Sequence, residues 1–487
     1  MMTFTKRLLP AAVLGALFGL SSPLLAADQV SNEQLLRLLK QQSAEIQALK
    51  QRLATVEAHE TRVSSTPLPA QPAQTQVQAA VAASRASLAL VQAQGNGAGA
   101  TGAGNTRWGT RGESGPTFRS SDGFFTFKPT GRVLVDFTGT KGSGYQERNI
   151  NGAQTTQARL GAEGSIGPLG YHVEADFADS ELSLRQAYLS YKTTIFGHTS
   201  KVYVGNFLKD LGTEGSSESA RTPFMLRNAA ASVGEPVNSY FGLGSQLKIW
   251  GRNWHYSLSV SGDSPGRSSN GTSSDSVAYL TRAHWNPVKG GNGFLHLGAW
   301  YYYENISPGV TSINNHPPIA LDYNDNLDVS ASSIANPTQD HAKGYELGGV
   351  YRNFWAIAEY ARRTIDSSST ASVSRHGSSL AAGWMITGEK PGFSSHSGNW
   401  QPVKVIHPVT SGGWGAFELA GRVDHYDFLG APRGGKGLSY TLGLNWYLND
   451  WSRVMFNYIR WYTDNQVGSE KGPDWGNSFG VRTQIVF

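Results

Sequence analysis

The stretch Trp475-Gly-Asn-Ser-Phe-Gly-Val-Arg-Thr-Gln-Ile-Val-Phe487 closes the sequence and alternates in chemistry from one residue to the next. Phe479, Val481, Ile485 and Phe487 share one parity; Gly480, Arg482 and Gln484 share the other. A period of two is the mark of a β-strand with an apolar and a polar face. A strand of this kind that ends on an aromatic fits the closing strand of an outer-membrane barrel, where aromatic residues ring the wall at the lipid boundary.

The opposite end of the chain agrees. Lys6 and Arg7 precede an apolar run from Leu8 to Leu20, and the small residues Ser21, Ser22, Ala26 and Ala27 follow. This order is that of a secretory signal peptide, expected over residues 1–26. Pro10 and Pro23 bracket a core too short for a permanent anchor. No later run is long and apolar enough for a spanning helix, so a membrane protein of this composition has to be a closed barrel, the other structure that satisfies its backbone in lipid. The 57 Gly, 20 Tyr, 20 Phe and 13 Trp and the mean hydropathy of -0.34 suit such a wall. The absence of cysteine excludes thiol catalysis, a disulfide framework and a cysteine-based metal site. A net charge of +5 without a concentrated basic patch gives no reason to expect nucleic acid as a partner.

Three regimes follow the leader. Residues 27–60 carry a heptad pattern, with Leu39, Ile46 and Leu53 at a and Leu35, Gln42, Leu49 and Val56 at d. Glu45 with Lys50, and Arg52 with Glu57, form g-to-e pairs, so a short parallel coiled-coil helix in the periplasm is expected, supporting a trimer. Residues 61–118, rich in Ala, Gln, Pro, Ser and Gly, read as a flexible linker. The run Gly97-Ala-Gly-Ala-Thr-Gly102 inside it imitates a dinucleotide fingerprint but follows no strand and opens no helix. From 119 to 487, alternating segments recur, centred on Val133, Leu160, Val173, Leu189, Val204, Leu247, Leu258, Tyr279, Leu297, Leu347, Ala358, Trp384, Leu419, Leu444, Phe456 and Val481. They predict an all-β fold, a sixteen-stranded antiparallel transmembrane β-barrel. The segments at Val204 and Ala358 alternate least clearly. Gly167–Gly170 and Tyr447–Trp451 read as periplasmic turns, and 305–342 and 388–413 as surface loops.

Magnitude fixes which parity faces lipid. An arginine on the lipid face at midplane costs about 2–4 kcal/mol. Arg132, Arg159, Arg282, Arg352, Arg422, Arg453 and Arg482 are therefore expected in the lumen, with Asp136, Glu163, Glu174, Asp176, Glu346, Glu418 and Asp424 beside them. Val133, Val135, Phe137, Leu160, Ala162, Leu442, Leu444, Trp446, Val481 and Ile485 take the lipid side, with Trp254, Trp285, Trp446 and Phe487 at its rims.

The block Gln157-Ala-Arg-Leu-Gly-Ala-Glu-Gly-Ser-Ile-Gly-Pro-Leu-Gly-Tyr-His-Val-Glu-Ala-Asp-Phe177, with Leu184-Arg-Gln-Ala-Tyr-Leu-Ser-Tyr191 and Val204-Gly-Asn-Phe207, resembles the phosphate-selective porin O and P family. Met385-Ile-Thr-Gly-Glu389, Trp400 to Pro408 and Gly415-Ala-Phe-Glu-Leu-Ala-Gly-Arg-Val423 resemble its later strands. The resemblance spans residues 119–487 and implies a homotrimeric, sixteen-stranded outer-membrane porin for passive uptake of phosphate, polyphosphate or related small anions. It also implies a lysine cluster at the constriction beside an arginine ladder, and no lysine cluster aligns here. The candidate constriction is 209–236, where Lys209, Arg221 and Arg227 stand among Glu214, Glu218 and Glu235; Thr222–Leu226 reads as its anchor on the wall. Arginine suits an anion path because its planar fork bonds oxyanions bidentately and stays charged. The alternative for each lumen arginine is a brace, paired with a facing carboxylate.

Other readings are weaker. Gly262-Asp-Ser-Pro-Gly266 imitates a nucleophile elbow but runs into an aperiodic polar stretch, so no enzyme is expected. Asp322, Asp325 and Asp328 lack calcium-loop spacing, and no metal or cofactor is called for. His296, Trp300, Tyr302 and Glu304 share one strand face that would suit sugar rings in a general or sugar-accepting porin. The helix and linker would also suit a tether between outer membrane and cell wall.

Overall fold

The computed structural model describes residues 106–108, 116–178, 182–237, 239–265, 273–314 and 316–487. The expected leader, the coiled-coil helix and most of the linker lie outside these residues.

Sixteen antiparallel strands form one closed wall. In chain order they are β1 (Phe125–Lys141), β2 (Asn151–Ile166), β3 (Leu169–Asp176), β4 (Ser183–Ile195), β5 (His198–Leu208), β6 (Phe241–Trp250), β7 (Trp254–Ser261) and β8 (Val277–Trp285), then β9 (Gly293–Asn305), β10 (Pro337–Tyr351), β11 (Phe354–Ser367), β12 (Val373–Met385), β13 (Ala416–Asp427), β14 (Lys436–Asn449), β15 (Ser452–Asn465) and β16 (Gly472–Val486). Each segment centre read from the sequence falls within one of them. Closure is made by β16 on β1, in register from Asn477 opposite Lys141 to Val486 opposite Arg132. Beyond that register, Gly131 and Phe487 exchange two backbone hydrogen bonds of 2.9 Å.

Alternation sorts the wall as the cost of a lipid-facing charge requires. Leu160 is 61% exposed and its neighbour Arg159 only 9%, so the same strand meets lipid with one parity and the lumen with the other. At the end where the turns are short, taken as periplasmic, aromatic pairs form a rim: Trp254 sits opposite Trp285, Phe354 stacks on Trp384 at 5.7 Å, and Phe417 stacks on Trp446 at 5.8 Å. The obscure alternation around Ala358 has a local cause. The inward parity of β11 carries Trp355, Ile357, Ala361 and Ile365, all buried, beside Glu359 and Arg363, so apolar residues fall on both faces of this strand.

Three expectations are corrected. The segment between β9 and β10 is not a surface loop. Ile313, Ile319, Leu321, Leu327, Val329 and Ile334 form a core with the inward residues Ile365, Tyr426, Met455, Ile459 and Trp461, so this segment fills the barrel mouth. The segment between β12 and β13, which contains 388–413, joins those strands at the short-turn end and also turns inward, because Phe393, Trp400, Val403 and Val405 are apolar and bury against the wall. Part of the expected linker is strand: Thr106–Trp108 pairs with Pro116–Arg119, which pairs with β1 and sets Phe118 opposite Phe127 with ring centroids 6.0 Å apart.

Candidate permeation pathway

Most wall arginines lie within a hydrogen bond of a carboxylate. Arg482 of β16 grips Asp136 of β1 through Nε and Nη2, both at 2.7 Å. Arg159 of β2 reaches Glu174 at 3.0 Å and Asp176 at 2.8 Å, both on β3. Arg132 of β1 donates to Glu174 at 2.7 Å. Arg282 of β8 holds Glu346 of β10 in a two-pronged contact at 2.7 and 2.8 Å and also meets Asp210 at 2.8 Å. Arg422 contacts Asp424 at 2.6 Å and Glu214 at 3.6 Å. Such buried pairs tie strands of the wall to one another and to the inward segment and fix the geometry of both partners. Their charge is largely neutralised inside the wall.

The inward constriction is the segment between β5 and β6. Its neck is closed by the Lys209 amide on the Tyr240 carbonyl at 2.8 Å. A short helix, α1 (Ala229–Gly234), is capped by Asn228, whose Oδ1 accepts from the Ala231 amide at 2.8 Å. All of α1 is buried. Its small side chains let it lie against Gly377 of β12, where an added Cβ would stand 2.3 Å from the Ala229 carbonyl oxygen. Polar residues of the wall anchor the remainder. Glu359 accepts from the Thr213 amide at 2.7 Å and from Asn228 Nδ2 at 2.6 Å. Asn445 donates to the Pro223 carbonyl, Asn457 accepts from the Met225 amide, and Arg422 donates to the Leu226 carbonyl. Arg453 donates to the carbonyls of Ala220 and Thr222 at 3.1 and 3.0 Å. Thr222–Leu226 is thus fastened to the wall.

Two cavities flank this segment. The one toward the long loops has a volume of about 610 Å³ and is lined by Gln157, Ser219, Arg227, Arg363 and Arg482, among others. The one toward the short turns, about 520 Å³, is lined by Lys128, Glu163, Gln186, Glu218 and Arg221 together with Asn399 and Trp400. In the lining of the first, a hydrogen bond from Gln157 to Ser219, at 2.5 Å, joins the wall to the constriction. Burial would raise the carboxyl of Glu218, but Arg132 and Arg221 hold it down at about 2. Burial pushes Glu214 up to about 7, against the pull of Arg422.

The inward segment from the short-turn end docks from below. Arg282 donates to the Gly398 carbonyl at 2.6 Å, Asn399 donates to the Ser216 carbonyl at 3.1 Å, and the Trp400 amide donates to Ser217 Oγ at 2.8 Å. Beside it, the rings of His255, His284 and His296 form a row with centroids 5.0 and 4.7 Å apart.

The residues singled out in the sequence therefore divide. Arg132, Arg159, Arg282, Arg422, Arg453 and Arg482 face inward on the wall. Lys209 is buried, donates to the Ser239 carbonyl at 3.1 Å and stands over the Tyr302 ring. Arg227 donates to the carbonyls of Glu214 and Ser217 and covers the Tyr240 ring at 4.6 Å. Arg221 faces the lower cavity, with Glu218 as its ion-pair partner at 3.9 Å. Arg352 is a correction. It occupies the two-residue turn between β10 and β11, with φ of 55° and an exposed side chain, because strand alternation ends one residue earlier. The sugar platform is a second correction: Trp300 and Tyr302 do share the inward face of β9 but are buried beneath the constriction, in one core with Leu211 and Ala230.

Arg363 and Arg375 are among the inward arginines that escaped the sequence reading. Arg363 pairs with Asp340 at 2.8 Å, and Arg375 lies over the Phe428 ring at 5.0 Å. In the doublet Arg362-Arg363, parity alone does not say which member turns inward; the carboxylate Glu359, sharing the parity of Arg363, was the available signal.

A family model described as phosphate-selective porin O and P matches residues 127–487. Porin O of Pseudomonas aeruginosa is 23% identical over 404 residues, covering 76% of this chain and 90% of that protein. Among solved structures, the outer-membrane OmpT of Vibrio cholerae superposes with a TM-score of 0.47 at 11% identity, covering 75% of this chain and 98% of that one. The anion-selective porin from Comamonas acidovorans gives 0.45 at 13% identity, covering 74% and 100%.

Proposed function

We propose, from the premise that this chain belongs to the phosphate-selective porin O and P family, that it is a passive outer-membrane channel for small anions, phosphate above all. The observation that carries this reading is the cationic lining of the two cavities: Arg227, Arg363 and Arg482 line the upper one and Lys128 and Arg221 the lower, where Arg132 of the wall stands 3.1 Å from Glu218. Conduction needs several sites, each weak enough to release its ion, and guanidinium groups partly balanced by carboxylates meet that need. Arg159, Arg282, Arg422 and Arg453 serve this path as braces that hold its shape.

A second reading is favoured by one specific observation. The pairing of Arg132, Arg159, Arg282, Arg422 and Arg482 with carboxylates lowers the net positive charge of the lumen, as a general porin would require. The homotrimer, the coiled-coil helix of 27–60 in the periplasm, the leader of 1–26 and the linker remain part of the proposal, with the correction that the linker's last residues are strand.

Single-channel recording of the purified full-length protein in planar bilayers decides between the two readings. With chloride as carrier, phosphate added at low concentration is expected to block the current, and reversal potentials in a potassium chloride gradient are expected to favour anions. A large conductance indifferent to phosphate and weakly selective would refute the phosphate reading and establish the general porin.

A further inference from the structure

The lower cavity holds an anion of the protein's own in its lining, Glu218. Arg132 is fixed by Glu174, which accepts from its Nη2 at 2.7 Å, so its other terminal nitrogen, Nη1, points at the constriction. Glu218 Oε2 lies there at 3.1 Å, and the same oxygen is 3.9 Å from Arg221 Nε. The three side chains differ in freedom. Arg132 is 5% exposed and Glu174 2%, while Glu218 is 34% exposed and borders the lower cavity. Glu218 stands on the non-helical side of the short 3₁₀ turn Ser219–Arg221, with no side-chain cap bond to that turn. Its carboxylate therefore answers to the two guanidinium groups rather than to the local backbone. An oxygen between two guanidinium groups is where an oxyanion passing through this cavity would be recognised.

We propose that Glu218 is a tethered counter-anion in the lining of the lower cavity, and that a permeating anion passes by displacing it from Arg132 and Arg221. This rests on the anion-channel reading and names its specificity determinant. Displacement favours oxyanions such as phosphate, whose several oxygens bridge both guanidinium groups at once. A halide makes one contact and competes poorly with a carboxylate already in place. Glu174 is excluded from this role because it is buried and bonded to both Arg132 and Arg159. Arg221 is the looser half of the clamp, 3.9 Å from the Glu218 oxygen against 3.1 Å for Arg132. The low proton affinity of Glu218 keeps the tether charged at neutral pH.

The test compares the full-length wild type with Glu218→Gln and Glu218→Asp, each first shown to be folded by heat-modifiable migration on gels. In Glu218→Gln the clamp is vacant. Inorganic phosphate is expected to block chloride current at about tenfold lower concentration, the equivalent of ~1.4 kcal/mol, and the potassium chloride reversal potential is expected to move toward anions. Glu218→Asp keeps the charge but draws it back from Arg132, so its phosphate block should tighten by a smaller factor with an unchanged reversal potential. If Glu218→Gln does not fold, the graded response of Glu218→Asp carries the test. Unchanged block and unchanged reversal potential in the folded variants would overturn the proposal. A wild type that phosphate does not block would instead defeat the phosphate reading, and the reversal potential of Glu218→Gln would still decide whether this carboxylate sets the charge of the lower cavity.

Discussion

Replacing Arg282 with Met should loosen the inward constriction without opening the wall. Its guanidinium joins Glu346 of β10, Asp210 at the root of the constriction, and the carbonyls of Ser397 and Gly398 on the segment that enters from the short-turn end. Methionine conserves much of the volume and removes all of these bonds. Breaking a buried ion pair by deleting one partner costs about 3–5 kcal/mol. Here the lower end applies, because Asp210 keeps His255 at 2.8 Å and Lys248 at 3.5 Å, and Glu346 keeps His296 at 2.8 Å. About 3 kcal/mol corresponds to roughly a hundredfold rise in the population with the constriction undocked. The chain has no cysteine, so Ala230→Cys supplies a silent reporter on α1, at a position 3% exposed. Its reaction with a small water-soluble thiol reagent should be slow in the Ala230→Cys background and about a hundredfold faster when Arg282→Met is added, with single-channel noise rising in parallel. A rate unchanged within threefold would show that the docking is held by the apolar contacts of Leu211, Trp300 and Tyr302 and that the Arg282 node is incidental.

Two further outcomes follow from particular side chains. Glu214, raised from the ordinary 4.5 to about 7 by burial, should take up a proton as pH falls through 7, so anion preference measured by reversal potential should rise between pH 8 and pH 6 and lose that step in Glu214→Gln. The sign for stability is opposite to that of a salt-bridged carboxylate: the folded protein binds this proton more tightly than the unfolded chain, so stability should fall as pH rises from about 4.5 to 7, read as a lower unfolding temperature on gels. At the closure of the wall, a Cβ on Gly131 would stand 2.4 Å from Phe487 Cζ. Gly131→Leu should therefore cost about 1–3 kcal/mol through overpacking and lower the yield of folded barrel, and Phe487→Ala in the same chain should restore it. An unaffected yield in Gly131→Leu would place the ring elsewhere.

The wall was legible because lipid imposes one rule on every strand. Arg159 beside Leu160, or Arg482 beside Val481, can satisfy that rule in one orientation only, and alternation then propagates it along the strand. The rule fades where the lumen itself is apolar. On β11 the inward residues Trp355 and Ile357 serve the contents of the barrel rather than water, and the strand becomes hard to phase from sequence. The same contents explain the two misplaced loops. Polar composition marks 306–336 and 386–415 as connections, yet Ile319, Leu327, Phe393 and Trp400, spaced irregularly within them, are what folds them inward. Isolated apolar residues in a loop carry no periodicity, so a pattern-based reading passes over them.

The arginines show where inference from sequence stops for a physical reason. A series of inward arginines is the same series whether it conducts anions or braces a wall, because the difference lies in the partner. For Arg482 the partner is Asp136, at the opposite end of the barrel sequence, and for Arg282 it is Glu346, two strands away in the wall. Register brings each pair together, and register between strands distant in the chain is fixed by closure rather than by local pattern. Once those pairs are formed, the wall arginines have most of their field cancelled at contact distance. On the reading proposed above, discrimination then passes to groups that closure leaves less constrained, on the segment folded into the lumen. Arg221, with its carboxylate at 3.9 Å, and Glu218, a third exposed, have that freedom. On the anion-channel reading proposed above, the balance between the guanidinium groups of Arg132 and Arg221 and the carboxylate of Glu218 governs the path, and a change in that carboxylate should alter selectivity more than the loss of a bracing arginine such as Arg282, which should chiefly alter shape.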